Sequence, residues 1–146
     1  IWMESIGILE PEKSAIAILA AYTFGSGGFN NPCGSLRTKS FVEYRGSKIA
    51  LTAAGRGMAL VPEIPLSNEE LHRKVFGVLP TPEQKLLKPL IAAYPNDLSN
   101  AELAELSGYK VDTGGFNNPK GRLRTLNLVE YPSPRRVRAS AILFPL

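Results

Sequence analysis

The string GGFNNPCGSLRT occupies Gly27–Thr38, and GGFNNPKGRLRT occupies Gly114–Thr125, 87 positions later with two letters changed in twelve. Glycine, asparagine and proline at this density are not what helix or strand propensity selects. The match extends outward on both sides. At the same offset, Leu19 to Tyr44 and Leu106 to Tyr131 share 15 residues in 26. A 146-residue chain with that self-similarity is two copies of one module.

The second copy is the fuller one. Thr81-Pro82-Glu83-Gln84 reads as a helix start, with threonine as cap, proline at the first helical position and Gln84 closing a capping box. Leu86, Leu87, Leu90, Ile91 and Tyr94 follow at helical spacing, and Pro89 is expected to kink that helix. Ser99 and Glu102 form a second capping box before Leu103, Ala104 and Leu106, all expected to face inward, and Gly108 ends that helix. In the repeated string, Gly114-Gly115 is expected to turn the chain, Asn118 to cap a third helix and Pro119 to be its first residue, with Leu123 and Leu126 buried. Leu128 to Tyr131 and Arg136 to Ala139 read as two strands around Pro132-Ser133-Pro134.

The first copy follows the same plan. Ile1 to Ile6 is the tail of a shortened first helix closed by Gly7, and Glu10 to Tyr22 carries the second helix. Gly27-Gly28 turns, and Asn31-Pro32 starts the third helix. Phe41–Tyr44 and Lys48–Leu51 form a hairpin, and Thr52 caps a closing helix from Ala53 to Leu60. Val61-Pro62 to Pro65-Leu66 reads as a proline-marked linker, leading into a connecting helix from Ser67 to Val78.

Helix, helix, helix, strand, turn, strand is the order of a winged helix. The predicted fold is therefore mainly α with small β-wings, of the α+β class: two winged-helix modules in tandem. Their bounds are 1–60 and 81–146, with a linker and connecting helix over 61–80. LRTLNLV from Leu123 to Val129 resembles the end of the recognition helix and the first wing strand of winged helix-turn-helix proteins. KIALTAAG from Lys48 to Gly55 looks like the returning strand and next helix of the multiple-antibiotic-resistance regulator type. The chain is also similar to tandem winged-helix modules at the ends of bacterial and phage ATP-binding proteins. These resemblances imply a DNA-binding, cytoplasmic module of a larger bacterial or phage protein. Two features depart from the usual pattern: Gly108–Gly115 is long for the turn between helices two and three, and the third helix, between Pro119 and Asn127, is short.

Composition agrees with a globular chain: 44% hydrophobic and 21% charged. No run of about 18 apolar residues is present, so a membrane span is not expected. Net charge is +4, and six of the basic residues fall between Lys120 and Arg138 against the single acid Glu130. That concentration points to an anionic partner, with double-stranded DNA first. A protein-interaction scaffold without nucleic acid is the alternative, since copy one has lost much of the charge. RNA comes third, because no aromatic-rich sheet motif is seen. One cysteine, Cys33, and one histidine, His72, make neither a disulfide nor a zinc site, and a single thiol suits a reducing compartment. No nucleophile, base and acid set is organised, so no enzyme, cofactor or metal is expected.

The candidate nucleic-acid contacts are Asn117, Lys120, Arg122, Arg124, Arg135, Arg136 and Arg138 in copy two, and Asn30, Arg37, Arg45 and Lys48 in copy one. Asparagine can read adenine bidentately, and arginines at a hairpin tip can reach phosphates or a minor groove. Against that, capping explains Asn31 and Asn118, and ion pairs to Glu43 or Glu130 would explain Arg37 and Arg124. A phosphate-cradling glycine loop is disfavoured, because no strand precedes the glycines and no Gly-Lys-Ser/Thr follows. Phe29 and Phe116 are expected to be buried anchors. Gly34 and Gly121 each cost about 0.5–1 kcal/mol inside a helix, so a neighbouring helix or a phosphate is expected to approach closely there. Lys39 replaces Leu126 and is expected to lay its stem along the core edge. The two changed letters, Cys33/Lys120 and Ser35/Arg122, mark copy two as the stronger binder.

Overall fold

In the computed structural model, which describes residues 2–5, 7–60 and 66–145, the repeated string is helical along its whole length. The chain is mainly helical with small antiparallel sheets, in keeping with the α+β expectation. It divides into two compact units, one ending at Val78 and one spanning Leu79–Pro145. Of the expected tandem modules and linker, residues 1, 6, 61–65 and 146 lie outside the described residues.

The second unit contains α6 (Thr81–Ala93), β3 (Leu98–Ser99), α7 (Asn100–Ser107), α8 (Gly114–Thr125), β4 (Val129–Glu130), β5 (Arg136–Ala139) and a closing 3-10 turn, Ala141–Leu143. Its three strands lie in the order β3-β5-β4, with Leu98 opposite Val137 and Val129 opposite Ala139. Strand β3 was not anticipated; two residues between helices are too few for an alternation pattern to show. Helix α6 starts at Thr81, one residue earlier than its capping reading, and runs unbroken through Pro89. Gln84 donates to the Leu79 carbonyl, 2.7 Å, instead of closing a capping box with Thr81. The Ser99 cap does form: the Glu102 amide donates to its hydroxyl at 3.1 Å. Leu86, Leu87 and Leu90 of α6 meet Leu103, Phe116, Leu123 and Val137 in a fully buried core. Each such leucine contributes about 1.5–3 kcal/mol by leaving water. Leu106 stays 63% exposed, contrary to expectation, because it lies well round the helix from Leu103 and Ala104.

The first unit contains α1 (Trp2–Ser5), α2 (Lys13–Leu19), α3 (Gly27–Thr38), β1 (Val42–Arg45), β2 (Lys48–Leu51), α4 (Ala53–Met58) and α5 (Asn68–Val78). Helix α2 is shorter than the Glu10–Tyr22 expectation: Pro11 gives its carbonyl to the Ile49 amide, and Glu12 is the N-cap. The β3 equivalent here is a single bridge, Glu12 to Lys48. Helix α5 packs on α2, burying Leu71 and Val75. It opens with a reciprocal capping box, in which the Glu70 amide donates to the Ser67 hydroxyl and the Ser67 amide to the Glu70 carboxylate. Thr52 caps α4 by accepting from the Gly55 amide at 3.0 Å. A Cβ on Gly55 would stand 1.9 Å from the Phe41 carbonyl oxygen, so α4 seats there only with glycine.

The repeated string itself requires a correction. Helices α3 and α8 begin at Gly27 and Gly114, with Ser26 and Thr113 as N-caps, five residues ahead of the Asn31 and Asn118 caps read from the sequence. The Asn30 amide already donates to Ser26, 2.9 Å, and the Asn117 amide to Thr113, 2.8 Å. Asn31 and Asn118 are therefore not caps, and Pro32 and Pro119 sit inside their helices. A proline there removes the hydrogen bond to the carbonyl four residues back and presses its ring on it. Those carbonyls belong to Gly28 and Gly115, whose freer backbone accommodates the pressure. None of the four glycines has positive φ.

The left-handed residues lie elsewhere, and they too repeat. Ala21 and Gly108, Gly25 and Asp112, and Ser40 and Asn127 are matched pairs at the 87-residue offset, all with φ between 60° and 82°. Ser40 and Asn127 end α3 and α8 alike: the next amide, Phe41 or Leu128, donates back to Leu36 or Leu123 at 3.0 Å. The backbone keeps the repeat where the letters do not.

Candidate nucleic-acid interface

Helix α8 buries Phe116, Pro119 and Leu123. At 100° per residue, Gly114, Asn118, Gly121 and Thr125 point the opposite way, and all four are exposed. Helix α3 repeats this outward stripe letter for letter with Gly27, Asn31, Gly34 and Thr38. The asparagine amides lie back over the first glycine of each stripe. Thr38 and Thr125 turn their hydroxyls onto the Gly34 and Gly121 carbonyls, at 2.9 and 3.1 Å. Nothing lies within 4 Å of a Cβ built on Gly34 or Gly121, which corrects the expectation of a neighbouring helix there. The stripe is an exposed face of α8 that lacks a side chain at Gly114 and Gly121.

The charged candidates are differently engaged. Arg124 lies 4.3 Å over the Tyr131 ring and Arg37 lies 4.6 Å over the Tyr44 ring. That stacking, not an ion pair to Glu130 or Glu43, explains why an arginine and a tyrosine recur together in both copies. Lys120 is half-buried, 5.0 Å from the Phe116 ring centre and 5.4 Å from that of Tyr131. Burial pushes its amine below the usual lysine value, with Asp112 opposing the shift, and burial raises the Tyr131 hydroxyl. Lys39 is exposed rather than laid on the core, because its position follows the last turn of α3.

Three arginines of the second unit are paired with acids. Arg122 reaches from α8 to Glu83 on the first turn of α6, Arg136 bonds Asp97 at 2.5 Å, and Arg138 pairs with its cross-strand neighbour Glu130. In the first unit Arg45 is shared between Glu10 and Glu43, which holds its guanidinium pKa up. Pairs this exposed are screened by solvent and add little to stability. Arg122 differs because Glu83 is 1% exposed with its second oxygen unpartnered, so losing the arginine strands a buried carboxylate. Among the described residues, Arg135 and Lys48 have no side-chain partner, and Arg135 sits on the hairpin turn with φ 60°.

The structure thus gathers Asn117, Arg122 and Arg124 around the α8 stripe, with Lys120 withdrawn beneath, and places Arg135, Arg136 and Arg138 on the β4–β5 hairpin. Asn30 and Arg37 stand on α3, and Arg45 and Lys48 on the β1–β2 hairpin. Glu83 and Asp97 were not anticipated as partners; each lies 39 residues from its arginine, beyond any local pattern. Cys33 is buried, which raises its thiol pKa and keeps it inert. Among the described residues no three His, Cys, Asp or Glu side chains gather to hold a metal, and no helix is long and apolar enough to cross a membrane. No family model, curated protein or solved structure matches the chain.

Proposed function

We propose that each unit is a winged helix and that the chain binds double-stranded DNA, with the second unit as the stronger site. The order α6-β3-α7-α8-β4-β5, with β5 central in the sheet, supports the fold. The outward stripe of α8, repeated unchanged on α3, carries the function. In α8 all four positions are exposed, nothing stands within 4 Å of a Cβ built on Gly34 or Gly121, and two of the four are glycines that weaken a helix. Their identity in both copies is explained by something outside that approaches the helix closely. A helix of that shape, with Asn117 and Asn118 exposed, fits a major groove, where asparagine can pair with adenine. Arg122 and Arg124 lie beside the stripe on α8, and Arg135 would extend the contact from the hairpin turn.

If Arg122, Arg124 and Arg135 neutralise about three phosphates, log affinity for a duplex falls against log salt with a slope near −2.7. Double charge reversal at Arg124 and Arg135, which leaves the Arg122–Glu83 pair intact, should reduce that slope by about 1.8. Binding independent of salt, or insensitive to the reversal, contradicts the reading. A protein-interaction scaffold is the second reading, supported by the acids that already neutralise Arg45, Arg136 and Arg138. Light scattering and pull-down of the full chain test it, and a monomer that captures no protein counts against it.

A further inference from the structure

Tyr44 and Tyr131 are the same letter of the repeat, and each ring carries both a lysine and an arginine. The arginine recurs by position, since Arg37 and Arg124 are twins at the 87-residue offset. The lysine does not. Lys120 of α8 stands 5.4 Å from the Tyr131 ring centre, and its twin is Cys33. In the first unit Lys13 supplies the ammonium from the start of α2, 3.7 Å from the Tyr44 ring centre, and its own twin is Asn100. The two helix starts are otherwise built alike. The Lys13 amide donates to the Ser47 carbonyl at 3.0 Å, and the Asn100 amide to the Arg135 carbonyl at 2.9 Å. Burial raises the Cys33 thiol pKa and the Lys13 charge opposes that rise, so the ammonium stands near the position from which Lys120 extends in the second unit. One place beside the ring is thus charged from two different helices.

The ring by itself does not call for a second cation. The arginine already lies over the tyrosine, and another positive charge close by adds repulsion. Among the described residues none of these four cations is ion-paired with an acid. Asp112 offsets part of the Lys120 charge from farther off, and Gly25 takes its place in the first unit. Lysine and arginine kept together on one ring suit an anion, which both can contact by charge-assisted hydrogen bonds. We propose that Lys13, Arg37 and Tyr44 form a seat for a backbone phosphate of the duplex, matching Lys120, Arg124 and Tyr131, so that the first unit contacts DNA in its own right. This seat presupposes that the chain binds duplex. The Lys13 ammonium donates to the Gly46 carbonyl at 3.2 Å, which leaves donors for a phosphate. The exchange of Lys120 for Cys33 therefore does not silence the first unit, because Lys13 returns the charge.

The test is the affinity of the full chain for a short labelled duplex, followed by anisotropy across a salt series. Lys120→Gln, Arg124→Gln and Arg135→Gln together silence the second unit, and a weaker, still salt-dependent affinity should remain. In that background Lys13→Met keeps the stem and loses the charge. It should weaken binding at least about tenfold at low salt and reduce the salt slope by about 0.9, one phosphate. Lys13→Arg should hold the affinity. Lys13→Asn with Cys33→Lys writes the second unit's two letters into the first and should restore it. Thermal unfolding checks each variant, and if the swap lowers the midpoint, Lys13→Met against Lys13→Arg decides. Unchanged affinity in Lys13→Met overturns the proposal, as it would if the stem merely covered the ring. So does a normally folded swap that binds no better than Lys13→Met, or loss of all binding once the second unit is silenced. A wild-type chain that binds no duplex overturns the duplex reading itself, and the seat with it.

Discussion

Helices α3 and α8 spell nearly the same twelve residues and present the same outward stripe, yet their inner faces meet different surroundings. In the second unit three leucines of α6 close over Leu123, and Glu83 reaches Arg122. In the first unit Leu36 opens on a groove, and Ser35 has no acid to meet. A repeated string thus specifies its own backbone and outward face, while the worth of its inward letters depends on what the rest of the unit lays against them.

The sharpest way to break that comparison is to cut the same letter in both copies. Leu123→Ala should cost about 3 kcal/mol, because the surrounding core cannot collapse into the space, whereas Leu36→Ala should cost under about 1 kcal/mol. Calorimetry resolves the two, with Trp2 emission reporting on the first unit. Equal costs would mean that Leu36 is as well packed as its twin. A smaller effect is expected at the paired left-handed positions. Gly108→Ala, at φ 76°, should destabilise by about 1 kcal/mol, and Ala21→Gly, at φ 62°, should stabilise by about 0.5 kcal/mol. Thermal midpoints moving the same way in both variants would show that the two helix ends are not equivalent.

The repeat made the order of elements legible, since it lines up Leu19–Tyr44 with Leu106–Tyr131 and leaves the strands and caps to local chemistry. Thr52 and Ser99 cap as read, and Gly108 ends α7 in the left-handed conformation. The start of α8 was not legible, because Asn-Pro marks a helix start in most contexts and only the preceding backbone bonds to Thr113 reveal an interior proline. The turn was assigned to the shared glycines, but Gly25 and Asp112 make it; a short polar side chain supports positive φ as glycine does. In the candidate site, Asn117 and Arg124 are exposed, as a contact with an outside partner requires. The partners of Arg122 and Arg136 were not legible, since Glu83 and Asp97 come alongside only through the fold.

The most direct test of the duplex-binding stripe separates binding from folding at one exposed position. Gly121→Leu places a side chain where nothing stands within 4 Å, and it exchanges a poor helix former for a good one. The unfolding midpoint should hold or rise, while duplex affinity falls at least about tenfold, or about 1.4 kcal/mol. Unchanged affinity in a variant of equal or greater stability would contradict a DNA contact along this face of α8.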